Sequence, residues 1–241
     1  MIATNSIEIK AFIKNSLIDW DGKIVSVVYV GGCNFRCPFC HNSELVLRPQ
    51  SLKTIEFKEV IDYLKNNKSF IDGVCITGGE PCLYENLDKL LREFKSLGFL
   101  IKLDTNGSYP KRLKKLIESG LLDYIAMDIK SSLEEEKYLK ACGLQKKEIL
   151  PLIKESIEIL MNSSVDYEFR VTVVPTLHTQ KEIMQIAQSL KGAKKLALQN
   201  FSNYNTLDPE FERVKSYPLK DLEKMAKSIE DYVNKCVVRG G

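Results

Sequence analysis

Three cysteines fall within eight positions in "CNFRCPFCHN" (33 to 42), and the next cysteine in the chain is Cys75. A closed structural zinc site takes four ligands, a disulfide takes two, and a four-iron cluster in a protein normally takes four cysteines. Three thiolates on one loop suit a different chemistry, in which they hold a four-iron cubane by three of its corners and leave the last iron open to a substrate or cofactor. Cys33, Cys37 and Cys40 are therefore the candidate metal ligands. Gly31 and Gly32 come just before them and let the backbone turn tightly and approach something bulky.

Two other chemistries compete for the same residues. "CPFCH" (37 to 41) matches the signature of covalent haem attachment, but that requires export and leaves Cys33 idle. A zinc set of Cys33, Cys37, Cys40 and His41 is also conceivable, yet the neighbours Cys40 and His41 reach one tetrahedral ion poorly.

Composition narrows the setting. The 241 residues are 44% hydrophobic and 28% charged, as in ordinary soluble domains. Lys+Arg 35 against Asp+Glu 32 leaves a formal charge of +3, too slight to imply nucleic acid. The opening "MIATNSIEIKAFIKNSLIDW" has no uninterrupted apolar stretch, so neither a signal peptide nor a membrane span is expected and the chain is placed in the cytoplasm. There thiols stay reduced, and an odd total of seven cysteines fits metal ligands better than a disulfide framework.

The elements that must position the cysteines read as an alternation of strands and helices, the sign of a parallel sheet. Six strands are expected at 23–30, 73–78, 99–104, 123–128, 167–174 and 195–201. Ile55, Phe57, Val60, Ile61 and Leu64 make one helical stripe; Leu87, Leu90, Leu91 and Phe94 make another, with Asn86 as its N-cap. Leu219, Leu222, Met225, Ala226, Ile229 and Val233 form a helix expected to close the chain. One domain over residues 1–241 is expected, α/β in class, as a partial (β/α)6 barrel with function at the C-terminal ends of its strands.

The motifs at those ends are "TGGEP" (77 to 81), "LDTNG" (103 to 107), "MDIK" (127 to 130), "FRVTVVP" (169 to 175) and "LQNF" (198 to 201). With C-x-x-x-C-x-x-C and an aromatic before the last cysteine, this ordered set resembles the radical S-adenosylmethionine (SAM) superfamily over nearly the whole chain. Within it the sequence is most similar to activating enzymes of glycyl-radical proteins. "KNSLIDWDGKIVSVVYVGGCNFRCPFCHN" and "NTLDPEF" (205 to 211) are similar to the activating protein of anaerobic ribonucleotide reductase. Too little chain separates Cys40 from Thr77 for the cysteine-rich insertion that some glycyl-radical activases carry.

The resemblance implies a 4Fe-4S cluster and SAM as cofactors. It implies reductive cleavage of SAM to methionine and a 5'-deoxyadenosyl radical that removes a glycine hydrogen from a partner enzyme. Gly78, Gly79 and Glu80 would receive the amino end of SAM, with Asp104, Thr105 and Asn106 lining the same end. Asp128 and Lys130, on one face of their strand by the period of two, would meet ribose hydroxyls and carboxylate. Phe39, His41, Gln199 and Phe201 would surround adenine, although "LQNFS" stands where relatives end this strand in Pro-Tyr-His. Arg170, a charge inside an apolar strand, fits either a cofactor contact or a structural ion pair. Asp104, Thr105, Met127 and Asp128 resemble a monovalent-cation site. A low-potential donor such as flavodoxin or ferredoxin is implied as electron source; neither nucleic acid nor membrane is an expected partner. The rival functions are a radical SAM enzyme acting on a small molecule, similar to 7-carboxy-7-deazaguanine synthase, and a non-enzymatic metal-binding module.

Plainer readings cover the rest. Cys75, Cys82, Cys142 and Cys236 read as small buried hydrophobes. His178 reads as a surface or capping group on a loop, and the lysines at 111 to 115, 146 to 147 and 194 to 195 as solvated faces.

Overall fold

The computed structural model describes residues 7–145 and 148–240; Lys146 and Lys147, expected on a solvated face, lie outside the described residues. Strand order in the eight-stranded sheet follows the chain. Two compact units share the chain, divided within the fifth strand.

The first unit takes residues up to Asn34, Glu44–Thr105 and Lys111–Ile125. It contains β1 (Ile9–Ser16), β2 (Val25–Val30), most of α1 (Ser43–Leu47), α2 (Phe57–Asn66), β3 (Gly73–Gly78), α3 (Leu87–Ser96), β4 (Leu100–Thr105), most of α4 (Pro110–Glu118) and the start of β5 (Tyr124–Asp128). β1 runs antiparallel to β2, while β2, β3 and β4 are parallel. Val25, Val27, Val28, Val30, Val74, Cys75, Ile76, Ile101 and Leu103 are fully or almost fully buried, as expected for strands covered on both faces. The stripes of α2 (Val60, Leu64) and α3 (Leu87, Leu91, Phe94) cover them. Asn86 stands at the N-cap of α3 without a capping bond from its side chain.

The second unit takes Phe35–Ser43, Asn106–Pro110 and the chain from Ala126 onward. After β5 come α5 (Glu135–Cys142), α6 (Ile149–Met161), β6 (Asp166–Val173), α7 (Gln180–Ser189), β7 (Leu196–Asn200), α8 (Leu219–Lys227) and β8 (Cys236–Arg239). β6, β7 and β8 are parallel.

All six expected strands form, β3 with the expected ends and the others within two residues. Two more flank them. β1 is an edge strand of the sheet and leaves three consecutive residues exposed, which blurs its period of two. At the other end the expected closing helix stops at Lys227; Ile229 and Val233 are buried beyond it, and four residues of strand end the sheet. β8 is anchored by Arg239, whose guanidinium makes two hydrogen bonds of 2.7 and 2.8 Å to the buried Glu168. Lys195, expected in solvent, pairs with the same carboxylate at 3.0 Å.

Candidate functional site

In the first unit the motifs at the ends of β2 and β3 meet through backbone. Glu80 N donates to Gly32 O (2.8 Å) and Gly79 N to Val30 O (2.9 Å). A Cβ on Gly79 would lie 1.9 Å from Gly32 O, and Gly78 has φ +114 with Val30 O in the same position. Only glycine fits this double approach. So the tight turn expected at Gly31 and Gly32 is explained by the adjoining GGE turn, whose Gly79 and Glu80 amides donate to the carbonyls of Val30 and Gly32; Cys33 follows directly, half-buried. The Glu80 side chain is fully buried and accepts from Cys82 N (2.8 Å) and Thr105 Oγ1 (2.7 Å). Burial foremost, and then the Glu80 charge, push the Cys82 thiol well above its usual pKa; it is an inert neighbour. Asp104 pairs with Lys102 at 3.1 Å, both nearly buried.

In the second unit the loop bearing Cys37 and Cys40 is clamped through its backbone. Cys40 N donates to Cys37 O (3.0 Å), Leu207 N to Cys40 O (2.9 Å), Asp208 N to Pro38 O (2.9 Å) and Arg36 N to Cys142 O (2.8 Å). Phe39 is buried. His41 is exposed, with Nε2 2.6 Å from Ser202 O, and its ring stacks on Phe201 with centroids 6.1 Å apart. That engagement brings together two of the expected adenine neighbours. Gln199 is half-buried, in backbone register with Thr172 and Arg239.

Asp128, Lys130 and Arg170 form one cluster. Arg170 Nε donates to Asp128 Oδ1 at 2.8 Å and Lys130 Nζ to Oδ2 at 2.9 Å. Burial alone would raise the Asp128 pKa, but Arg170 and Lys130 outweigh it and hold the carboxyl well below the usual range. Lys130 is likewise held charged: burial opposes this, and Asp128 followed by the Cys37 sulfur overcomes it. The Cys37 thiol is lowered, first by a hydrogen bond from the Cys142 side chain and further by Lys130, whereas burial raises that of Cys40. Arg170 is thus in an ion pair. Asn106 is buried with Oδ1 accepting from Ser108 N (2.9 Å), so it caps its own turn. Met127 fills the space where a Cβ on Gly107 would stand, 2.0 Å from its Cε.

Two residues carry more than their sequence context suggested. His178 is fully buried: Val174 N donates to Nδ1 and Nε2 reaches Lys130 O, each at 3.0 Å. Burial pushes its pKa down to about 4, so the ring is neutral, and the surface reading is corrected. Cys142 is buried as expected, and its backbone carbonyl accepts from Arg36 N on the cysteine loop. No spacing rule joins residues so far apart in sequence.

In each unit taken by itself, sulfur and polar side chains gather at the C-terminal ends of parallel strands, the arrangement of a cofactor-using α/β protein. The radical SAM superfamily matches residues 27–195, and the chain belongs to that superfamily. A Methanocaldococcus jannaschii protein assigned by name to the glycyl-radical enzyme activating enzymes is 32% identical over 227 residues, 93% of this chain and 92% of its own. This places the chain in that group. The pyruvate formate-lyase-activating enzyme of Clostridium pasteurianum is 29% identical, with 88% of each chain covered. Among solved structures, Streptococcus suis SuiB bound to precursor peptide SuiA superimposes with a TM-score of 0.66 at 19% identity. That likeness covers 90% of this chain and 48% of SuiB, so the chain spans about half of SuiB's length. It shows the fold: the α/β radical SAM type expected from the sequence.

The superfamily works with a 4Fe-4S cluster and SAM. Cys37 and Cys40 are of the donor type that cluster iron takes, and the lowered Cys37 lies within the field of a protonated lysine. Among the described residues no helix is long and apolar enough to cross a membrane.

Proposed function

We propose that this chain is the activase that installs the glycyl radical on an anaerobic ribonucleotide reductase. The choice of partner rests on the resemblance of the segment 205–211, "NTLDPEF", to the reductase activase. Its Leu207 and Asp208 amides hold Cys40 O and Pro38 O, so the segment is part of the support of the cysteine loop.

In this reading Cys33, Cys37 and Cys40 hold three irons and leave the fourth open. When bound, the cluster supplies the electron that opens a carbon–sulfur bond of SAM. The chain's own residues bind and orient. The turn at residues 78–80 takes the amino end of SAM, with Glu80 fixed by Cys82 N and Thr105. Asp104 and Asn106 shape the neighbouring backbone. Asp128, kept ionised by Arg170 and Lys130, accepts from ribose hydroxyls, and Lys130 faces the carboxylate. The stacked pair His41 and Phe201 offers a flat surface to adenine beside Gln199, and buried Phe39 keeps water from the sulfurs. Asp104, Thr105, Met127 and Asp128 are the oxygen- and sulfur-bearing candidates for a monovalent cation. A flavodoxin or ferredoxin delivers the electron.

The test is electron paramagnetic resonance of the anaerobically reconstituted, reduced protein with SAM and an anaerobic ribonucleotide reductase. A glycyl doublet on the reductase is expected. It should vanish, together with nearly all bound iron, when Cys33, Cys37 or Cys40 is replaced by alanine. A doublet on pyruvate formate-lyase alone would reassign the partner, and turnover of a small molecule with no protein radical would sink the reading.

A further inference from the structure

β4 carries a lysine where a strand covered on both faces would be apolar. Lys102 is 3% exposed and lies two residues before Asp104, which is 8% exposed, so both side chains leave the same face of the strand. An ammonium shut off from water needs partners. Lys102 has three of different kinds: its Nζ is 3.1 Å from Asp104 Oδ1, donates to Asp19 O, and stands 6.0 Å from the centre of the Tyr124 ring.

The anchor at Asp19 is firm. Asp19 lies in the turn between β1 and β2, where Ser16 Oγ donates to its carboxylate. Trp20, next along, is buried against Val25, Val27 and Cys75, and its ring centre is 5.6 Å from that of Tyr124. Turn and ring thus hold the ammonium in place against Asp104. The contact with Asp104 is one of charge and not of an aligned hydrogen bond. A monovalent metal ion meets a carboxylate in the same way, by charge and distance with no hydrogen to aim.

Asp104 and Thr105 are the first-unit members of the set that resembles a monovalent-cation site, and they do not fit an added ion. Asp104 already faces a cation of the chain, and a second cation beside it would be repelled. Thr105 Oγ1 is engaged as a donor to Glu80 at 2.7 Å. In the second unit Asp128 is likewise matched, by Arg170 and Lys130.

We infer that Lys102 is a positioning residue that replaces the monovalent cation: it fixes the Asp104 carboxylate and supplies from within the chain the positive charge an ion would bring, so SAM binding needs neither sodium nor potassium. The inference rests on the proposed placement of Asp104 at the SAM end of β4. It gives a buried lysine a use that core packing does not. Through Asp19 O, the β1–β2 turn becomes part of what sets the position of Asp104.

The experiment measures equilibrium binding of SAM to the anaerobically reconstituted protein at one ionic strength, with tetramethylammonium, sodium or potassium as the monovalent cation. Tetramethylammonium is too bulky to sit on a buried carboxylate. The unsubstituted protein should give the same dissociation constant in all three, within about twofold. Lys102→Met, close in volume and uncharged, should bind SAM about tenfold more weakly in tetramethylammonium and regain most of that loss in sodium or potassium. Where the charge left on Asp104 unfolds Lys102→Met, the double variant Lys102→Met/Asp104→Asn takes its place and should bind weakly in all three salts.

An unsubstituted protein that binds SAM about tenfold more tightly in sodium or potassium overturns the inference. So does Lys102→Met, or the double variant, with the affinity of the unsubstituted protein in tetramethylammonium. Weak binding by Lys102→Met that neither ion restores also overturns it, because Lys102 would then serve the fold alone. Failure of the unsubstituted protein to bind SAM in any salt removes the functional reading and this inference with it, whereas SAM binding that requires sodium or potassium removes this inference alone.

Discussion

Glu80 in the first unit and Asp128 in the second are both carboxylates at the ends of parallel strands, and they are held in opposite ways. Glu80 has none of its surface exposed and accepts from a backbone amide and a threonine hydroxyl. The Asp128 side chain is 27% exposed and sits between a guanidinium and an ammonium. Neutral donors fix where an oxygen points and would serve an uncharged acceptor about as well, whereas two cations demand a charge. Of the contacts described, those on Glu80 fix its position, whereas those on Asp128 fix position and ionisation together. Two carboxylates that look alike in sequence should therefore respond differently to the same substitution.

Asp128→Asn gives the largest expected effect. It leaves Arg170 and Lys130 facing an amide, and removing one partner of a buried ionic network costs about 3 kcal/mol. Urea unfolding of the metal-free protein measures this at pH 7. The carboxyl's pKa is depressed in the fold, so its contribution is complete above its ordinary value of 3.8 and is lost as pH falls below that through the folded value. The difference between native and Asn proteins should then shrink in acid below about pH 4. A cost at pH 7 as small as that of a surface substitution would break the contrast.

A second acid-sensitive group sharpens it. His178 is held neutral by burial, and its pKa falls from 6.5 to about 4. The unfolded chain binds a proton there between those values and the folded chain does not, so stability is complete above pH 6.5 and declines toward pH 4. The shift corresponds to about 3 kcal/mol over that window. His178→Gln should be less stable at pH 7, because the Val174 N and Lys130 O partners are disturbed. Its unfolding free energy should, however, vary less with pH from 6.5 to 4. Equal slopes in the two proteins would show that His178 is not the titrating group. The second unit thus carries two acid windows, one from a charge kept and one from a charge refused.

What the sequence revealed follows the same division. Local chemistry was legible: three cysteines on a turn and a strand bounded by Gly73 and Gly78 can each be read within ten residues. Partnerships made across the fold were not. His178 follows a proline-containing loop and looks exposed, and only its contacts with Val174 N and Lys130 O reveal it as an internal strut. Lys195 sits beside Lys194 and looks solvated until Glu168 is placed against it. β8 was hidden because four residues carry too little periodicity to count, and its anchor, Arg239 on Glu168, lies far off in sequence. Arg170 was legible as a charge needing a partner, although which partner was not.

The smallest effect on stability is expected where the contrast is sharpest, at Glu80. In Glu80→Gln the amide oxygen can accept from Cys82 N and Thr105 Oγ1 as the carboxylate does, so the fold should lose no more than about 1.5 kcal/mol, the scale of one altered hydrogen bond. Binding should suffer more. If residues 78–80 receive the ammonium of SAM, replacing a charged acceptor by a neutral one weakens a charge-assisted hydrogen bond and raises the dissociation constant about tenfold. Urea unfolding of the metal-free protein and equilibrium binding of SAM to the reconstituted protein separate the two quantities. A Gln variant as unstable as Asp128→Asn would mean that the Glu80 charge, and not its position alone, supports the fold, and the distinction between the two carboxylates would fall. A stable variant with unchanged SAM affinity would keep the distinction and remove Glu80 from the binding site.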